Sequence, residues 1–399
     1  MKALSAVVLK PGREKPVRQR HPWLFSGAVA RIEGSPADGD LVEVRAADGS
    51  FLARGYFNRA SQIVVRLLTW DPEEPVDAAF WQRRLERAIR GRAALAADPT
   101  TTAYRLVHAE ADGLPGLIVD RYGDWLVLQA LTLGIERRKR ELARWLAGLV
   151  DGVVGIYERS DVDVRAKEGL EPATGTLWGE PPPDRLVIRE KGFRFWVDLR
   201  RGHKTGFYLD QRENRARLPP FCADAEVLNA FAYTGAFAVY AAAGGAAQIV
   251  NLDTSGEALA LAREQMALNG FHRPQDEYVE GDAFQVLRRY RDAGRTFDVV
   301  ILDPPKFAFS RRHLERASRG YKDINWLGMR LLRPGGILFT FSCSGLVSED
   351  LFQKILFAAA LDAGREVQIV GRLSQGSDHP ILLTFPESAY LKGFICRVW

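Results

Sequence analysis

Along the first 70 residues apolar and polar positions alternate with a period of two, and beyond them the spacing lengthens to that of helices. The stretch DLVEVRAADGSFLARGYFN (40–58) carries two alternating runs on either side of Asp48-Gly49, the turn chemistry of a tight hairpin. QIVVRLLTW (62–70) predicts a further strand, and the acidic, proline-marked DPEEPVD (71–77) a linker. A helical period begins with AAFWQRRLERAIRGRAAL (78–95). Strands follow in GLIVDRYGDWLVLQAL (116–131), then a basic amphipathic helix around 136–150 and an apolar stretch at 153–161. A second linker, GEPPPDR (179–185), precedes a hairpin-like pattern at 186–199.

After Pro220 short apolar runs at 226–232, 248–253, 277–283, 297–303 and 336–344 alternate with helical stretches such as SGEALALAREQMALNG (255–270). That alternation predicts a doubly wound α/β sheet. The chain is expected to divide into a small β-rich domain (1–74), a central α+β domain (75–185) and an α/β domain (186–399). Its 399 residues suffice for that division.

Composition narrows the class. A 47% apolar and 26% charged chain is ordinary for a globular protein. No apolar run approaches the roughly 18 residues that cross a bilayer. The first apolar run is broken at Lys10-Pro11 and has no cleavage pattern after it. Three scattered cysteines, Cys222, Cys343 and Cys396, make neither a disulfide framework nor a metal cluster. A cytoplasmic protein without a metal site or a membrane partner is expected. The net charge of +5 is concentrated at the start, where residues 1–70 hold 11 Lys and Arg against six Asp and Glu. Such an excess suits a polyanion, although a solvated face has the same composition.

Ligands of doubly wound sheets bind at the carboxyl ends of the strands. The first turn, in NAFAYTGAFAVYAAAGG (229–245), has only Gly235 where a dinucleotide fold places three glycines, and no phosphate-binding lysine loop is present. Asp253 closes the second strand, placed for ribose hydroxyls, and Asp282 closes the third, placed for an adenine amino group. Such acids also cap helices. In this order, with a glycine-poor turn, they suit an adenosine without phosphates, of which S-adenosylmethionine is one. The fourth strand ends in DPPKF (303–307). Pro304 and Pro305 stiffen a turn lacking backbone donors, so a flat base fits between proline and Phe307 faces while Asp303 reaches its edge. Lys306 is a candidate for holding phosphate or base.

The motifs VLNAFAYTGAFAVYAAAGGA, NLDTS, EGDAF, ILDPPKFAFSR, FTFSCSG and YLKGF resemble those of class I S-adenosylmethionine-dependent methyltransferases. More closely, they resemble the RlmI family of 23S ribosomal RNA cytosine-5 methyltransferases, as do HKTGFYLDQRENR and RLVHAEADGLPGLIVDRY. The basic N-terminus resembles that family's PUA RNA-binding domain. The resemblance implies a class I, Rossmann-like methyltransferase sheet in 186–399, S-adenosylmethionine as cofactor and large-subunit ribosomal RNA as partner. It places Asn229, Phe231, Tyr233, Gly235, Asp253, Asp282 and Asp303 around the cofactor and base pockets, with Phe207, Asp210 and Gln211 covering the cofactor. Oligomeric state stays open, and a homodimer is compatible with the sequence.

On that resemblance Cys343 acquires a role. Cytosine C5 is a poor nucleophile until a thiolate adds to C6. Cys343 is expected to supply the thiolate and Asp303 to engage N3 and the exocyclic amine, since they end neighbouring strands. Ser342 and Ser344 are expected to donate hydrogen bonds that favour the thiolate. Cys222 and Cys396 have no such company and read as structural. Some RNA cytosine-5 methyltransferases carry a second cysteine beside the Asp-Pro turn, where this chain has Pro304 and Pro305. Two other readings share these motifs: nitrogen methylation of an RNA purine, and a non-catalytic RNA-binding assembly factor.

Overall fold

The computed structural model describes residues 4–271, 273–308 and 311–399, without the side chain of Arg311. Its contacts form two compact units: Met1–Ile188, Val197–Leu209 and Ser377–Ser388 make one, and Arg189–Trp196, Asp210–Gly376 and Ala389–Trp399 the other.

The first unit holds two sheets. A six-stranded sheet runs in the order Trp23–Phe25, Ile63–Thr69, Phe51–Phe57, Leu41–Arg45, Ala6–Leu9, Val29–Glu33. The hairpin in it turns at Asp48-Gly49: Gly49 has φ +87°, and the Asp48 carboxylate accepts the Ser50 amide at 2.9 Å. Its alternating Val42, Val44, Val65 and Leu67 are buried together. A five-stranded sheet follows, with Ala103–His108 at one edge and Ala173–Gly179 at the other. The predicted 78–95 helix is shorter, Ala78–Arg90, capped by the Asp77 side chain and ended at Gly91. Its buried Phe80, Trp81 and Leu85 pack against that sheet's Leu106, Val119 and Leu128.

Arg66 ties the two sheets together. On the Ile63–Thr69 strand, its guanidinium donates to Glu110 at 3.0 Å and to Glu168 at 2.8 Å, and Trp23 Nε1 donates to the same Glu110 oxygen. All three charged residues are buried. Removing one partner of such a group costs roughly 3–5 kcal/mol, because it strands a charge out of water.

The second unit is the α/β layer. Its strands are β1 (Glu226–Ala230), β2 (Gln248–Asp253), β3 (Glu277–Glu280), β4 (Phe297–Leu302), β5 (Leu332–Ser342), β6 (Val367–Ser374) and β7 (Lys392–Val398). They lie in the order β3-β2-β1-β4-β5-β7-β6, the first five parallel and β7 antiparallel to both its neighbours. Helices α1 (Ala236–Ala243), α2 (Gly256–Leu268), α3 (Ala283–Asp292), α4 (Leu314–Leu331) and α5 (Glu349–Ala363) connect them. Ser255, Asp282 and Ser348 cap α2, α3 and α5 through side-chain oxygens, each worth about 1 kcal/mol. One core joins Leu228, Leu252, Val300 and Leu338 of the sheet to Leu287, Leu327 and Phe352 of the helices.

Sequence order reverses between β1 and β4, which opens a crevice at the carboxyl ends of those strands. The strand predicted over 336–344 runs instead over 332–342. Pairing explains its end: β4 matches β5 as far as Leu302 opposite Thr340, and β7 matches it as far as Lys392 opposite Ser342. Cys343 is therefore the first residue past the strand.

Candidate active site

The turns that leave β4 and β5 meet. Cys343 Sγ lies 4.0 Å from the carbonyl oxygen of Pro304, and the cysteine is half-buried. Pro304 is buried, while Pro305 and Lys306 are exposed. Phe307 packs its ring against Tyr321 at 4.7 Å between centroids. It also lines a cavity of about 460 Å3 together with Phe284, Lys306, His313, Arg316 and Gly320. An aromatic floor with cationic walls is the chemistry of a nucleotide site.

The serines beside Cys343 build the turn that carries it. Ser342 Oγ accepts the Ser344 amide at 3.4 Å, and Ser344 Oγ meets the Tyr321 hydroxyl at 3.0 Å and accepts the Ala308 amide at 3.4 Å. A strand end left without neighbours must satisfy its own backbone, and these hydroxyls do so. Lys392 completes the turn. Its ammonium, 6% exposed, donates to the carbonyls of Ser344 and Val347, both at 2.7 Å.

On the other side of β4, Asp303 accepts a hydrogen bond from Gln211 Nε2 at 2.9 Å. Gln211 is itself oriented: its Oε1 accepts from Asn214 Nδ2 at 2.6 Å, and Asn214 also donates to the Ser374 carbonyl. Neighbouring Asp210 accepts the Tyr390 hydroxyl on Oδ2 at 2.6 Å, and its main-chain carbonyl accepts the Gly376 amide. Its Oδ1 is buried and has no donor among the described residues.

The turn after β1 winds through three left-handed residues, Phe231 (φ +61°), Tyr233 (φ +47°) and Gly235 (φ +73°). Two of them are not glycine, a conformation costing about 1 kcal/mol or more each that clusters at ligand sites. Asp253 fixes the turn, accepting the Tyr233 amide at 2.8 Å and the Ser255 amide at 3.0 Å. The Ala232 amide goes to the Leu252 carbonyl. With these donors engaged, the turn presents a carboxylate and aromatic groups in place of a phosphate cradle. These features fit S-adenosylmethionine: Asp253 for the ribose diol, and the partnerless Asp210 Oδ1 for an ammonium group.

The structure thus gathers Asp210, Gln211, Asp303, Pro304 and Cys343 at one end of the sheet, and Phe231, Tyr233, Gly235 and Asp253 around the neighbouring turn. Asp282 is exposed and caps α3 through Oδ1. Asn229 is buried within β1, where its side chain donates to Asn251 at 2.9 Å. Phe207 is buried in the first unit, its amide donating to the Tyr122 hydroxyl. Cys222 and Cys396 are fully buried, and burial pushes both thiols up to about 12. Sequence reasoning missed Tyr390 and Lys392, although YLKGF had marked their neighbourhood.

Comparison with known proteins bears on family and fold. A PUA-like domain model matches residues 7–70, and an S-adenosylmethionine-dependent methyltransferase model matches residues 162–391. The chain is 53% identical to ribosomal RNA large subunit methyltransferase I of Shewanella denitrificans, across 98% of this chain and 99% of the relative. It is 50% identical to the protein of the same name from Klebsiella pneumoniae, with 98% of each covered. Among solved structures, a chain described as a SAM-dependent methyltransferase from Streptococcus mutans superimposes with a TM-score of 0.85. That match covers 98% and 99% of the two chains at 23% identity, a likeness of fold.

Proposed function

The chain belongs to the S-adenosylmethionine-dependent methyltransferases, within the ribosomal RNA large subunit methyltransferase I family, and on that premise we propose that it methylates C5 of one cytosine in 23S ribosomal RNA through a covalent Cys343–C6 intermediate. The observation that supports this most directly is the proximity of Cys343 Sγ to the Asp303-Pro304 turn.

S-adenosylmethionine supplies an electrophilic methyl group on a sulfonium. This chain's residues must make a pyrimidine carbon nucleophilic beside it. The Cys343 sulfur adds to C6, and the electron pair of the C5–C6 bond becomes available at C5. C5 takes the methyl group and S-adenosylhomocysteine leaves. Loss of the C5 proton to a base or water, with departure of the thiolate from C6, restores the aromatic ring. Asp303, oriented by Gln211, donates its carboxyl proton to N3 as the thiolate adds and accepts a hydrogen bond from the exocyclic amine, which eases the first addition and selects cytosine. The rigid Pro304-Pro305 turn and Phe307 hold the base once it leaves its stack. The basic residues of 1–74 add salt-dependent phosphate contacts.

The test is covalent trapping with large-subunit RNA containing 5-fluorocytosine. Fluorine at C5 blocks the last elimination, so wild-type protein with S-adenosylmethionine should yield an adduct that survives denaturation, and Cys343→Ala should not. Absence of the adduct, with methyl transfer to unmodified RNA retained, would overturn the thiol mechanism and favour nitrogen methylation.

A further inference from the structure

Lys392 is a lysine inside a core. It sits at the first position of β7, opposite Ser342 on β5 and Ser374 on β6, and is 6% exposed. Buried lysines are rare, because taking an ammonium out of water costs several kcal/mol unless something compensates. Here two hydrogens go to main-chain carbonyls, those of Ser344 and Val347, one on each side of the Gly345-Leu346 tip. No carboxylate among the described residues pairs with it. A structural need to satisfy two carbonyls is met elsewhere by amides or water at no such cost, so the charge calls for another explanation.

We propose that Lys392 is a positioning residue for Cys343, tying down the turn that carries the thiol and holding the sulfur as the thiolate. The residue before Cys343 faces Lys392 across the sheet, and the residue after it accepts from Nζ. The ammonium is thus the buried positive charge nearest the sulfur along both strands. The charges communicate: burial and Lys306 push Lys392 down, to about 8, while a charged Cys343 pushes it up. The other groups around it do not replace it. Tyr321, raised by burial, bonds to Ser344; Asp303, on the far side of β5, is of the wrong sign; and Arg372 of β6 pairs with Glu349. A thiolate beside a fixed cation is the usual means of activating a cysteine.

The purpose of this device rests on the Cys343 chemistry proposed above, but its test needs neither RNA nor methyl transfer. Alkylation of the free protein by iodoacetamide is followed against pH at the Cys343 peptide by mass spectrometry. The buried Cys222 and Cys396 thiols do not compete. Wild-type Cys343 should titrate below the ordinary thiol value of about 8.5. Lys392→Met should raise the midpoint by a unit or more, lowering the rate at pH 7 about tenfold, while Lys392→Arg should move it less. Identical profiles for wild type and Lys392→Met, both still binding S-adenosylhomocysteine, would overturn the proposal. Should Lys392→Met fail to bind it, the wild-type profile decides alone, and a midpoint at or above 8.5 overturns it. A depressed midpoint without a fluorocytosine adduct would leave Lys392 in this role and remove the covalent step instead.

Discussion

Gln211 donates through Nε2 to Oδ2 of Asp303 at 2.9 Å, and its own Oε1 is held by Asn214 at 2.6 Å. The amide cannot turn over without losing both bonds, so the carboxyl is held in one orientation. Gln211→Ala leaves the Asp303 carboxyl in place and removes only that restraint. Misorientation of this kind costs about 100-fold in rate, so kcat for methyl transfer should fall by roughly that factor while affinity for cofactor changes little. Single-turnover kinetics with calorimetry of S-adenosylhomocysteine binding separates the two. A loss confined to cofactor affinity would mean that Gln211 serves the cofactor alone.

Asp253 holds the amides of Tyr233 and Ser255 and is the acid proposed here to hold the ribose. Hydrogen bonds to a charged group are worth about 1.5–3 kcal/mol each. Asp253→Ala should weaken S-adenosylhomocysteine binding by about 10- to 100-fold, and Asp253→Asn by less. Calorimetry on both variants, with circular dichroism to confirm folding, checks this.

The buried ammonium of Lys392 also makes a prediction about stability. Burial lowers its pKa to about 8 in the folded protein, against about 10.4 in an unfolded chain. Between those values the unfolded chain binds more protons, so this group's contribution to stability rises with pH across that window and is lowest below pH 8. Urea unfolding of wild type should gain on that of Lys392→Met between pH 8 and 10, by about 2 kcal/mol. A pH-independent difference between the two would show that Lys392 is not buried as the cation.

Arg13, Lys15, Arg18 and Arg20 are all exposed around the short helix Lys15–Arg18. As phosphate contacts they should set the salt dependence of RNA binding. Reversing all four to Glu should weaken RNA binding. It should also flatten the plot of log affinity against log salt by roughly 0.7–0.9 for each phosphate no longer neutralised. Filter binding across a salt series reads this. An unchanged slope would place the RNA elsewhere.

That substitution is preferable to truncation, and the reason shows where sequence reading stopped. Removal of residues 1–70 is expected from sequence to weaken RNA binding and leave the cofactor site intact. Arg66, however, lies inside that stretch and neutralises the buried Glu110 and Glu168. The linker expected at 71–77 rests on its prolines and acids alone, whereas the residues on both sides of it fall in one compact unit, and the ion pairs that pass around it leave no such local mark. The same division holds at the site. Asp303 and Cys343 were legible as neighbours because an α/β sheet aligns consecutive strand ends, and the Asp48-Gly49 hairpin because turn chemistry is local. Gln211 and Asp303 meet across 92 positions, which no period reports. Lys392 entered the sequence reading only as part of the YLKGF motif. Only the insertion of β7 between β5 and β6 makes that strand interior and its lysine a buried one.

The polypeptide passes between its two compact units at 188/189, 196/197, 209/210, 376/377 and 388/389. Neither unit corresponds to one uninterrupted length of gene. Recombination that exchanged either as a cassette would have to cut in several places at once, so the two units are bound to be inherited together. During synthesis the second unit also remains incomplete until β7, with Lys392, has left the ribosome, so Cys343 acquires its final surroundings only after that strand has been made.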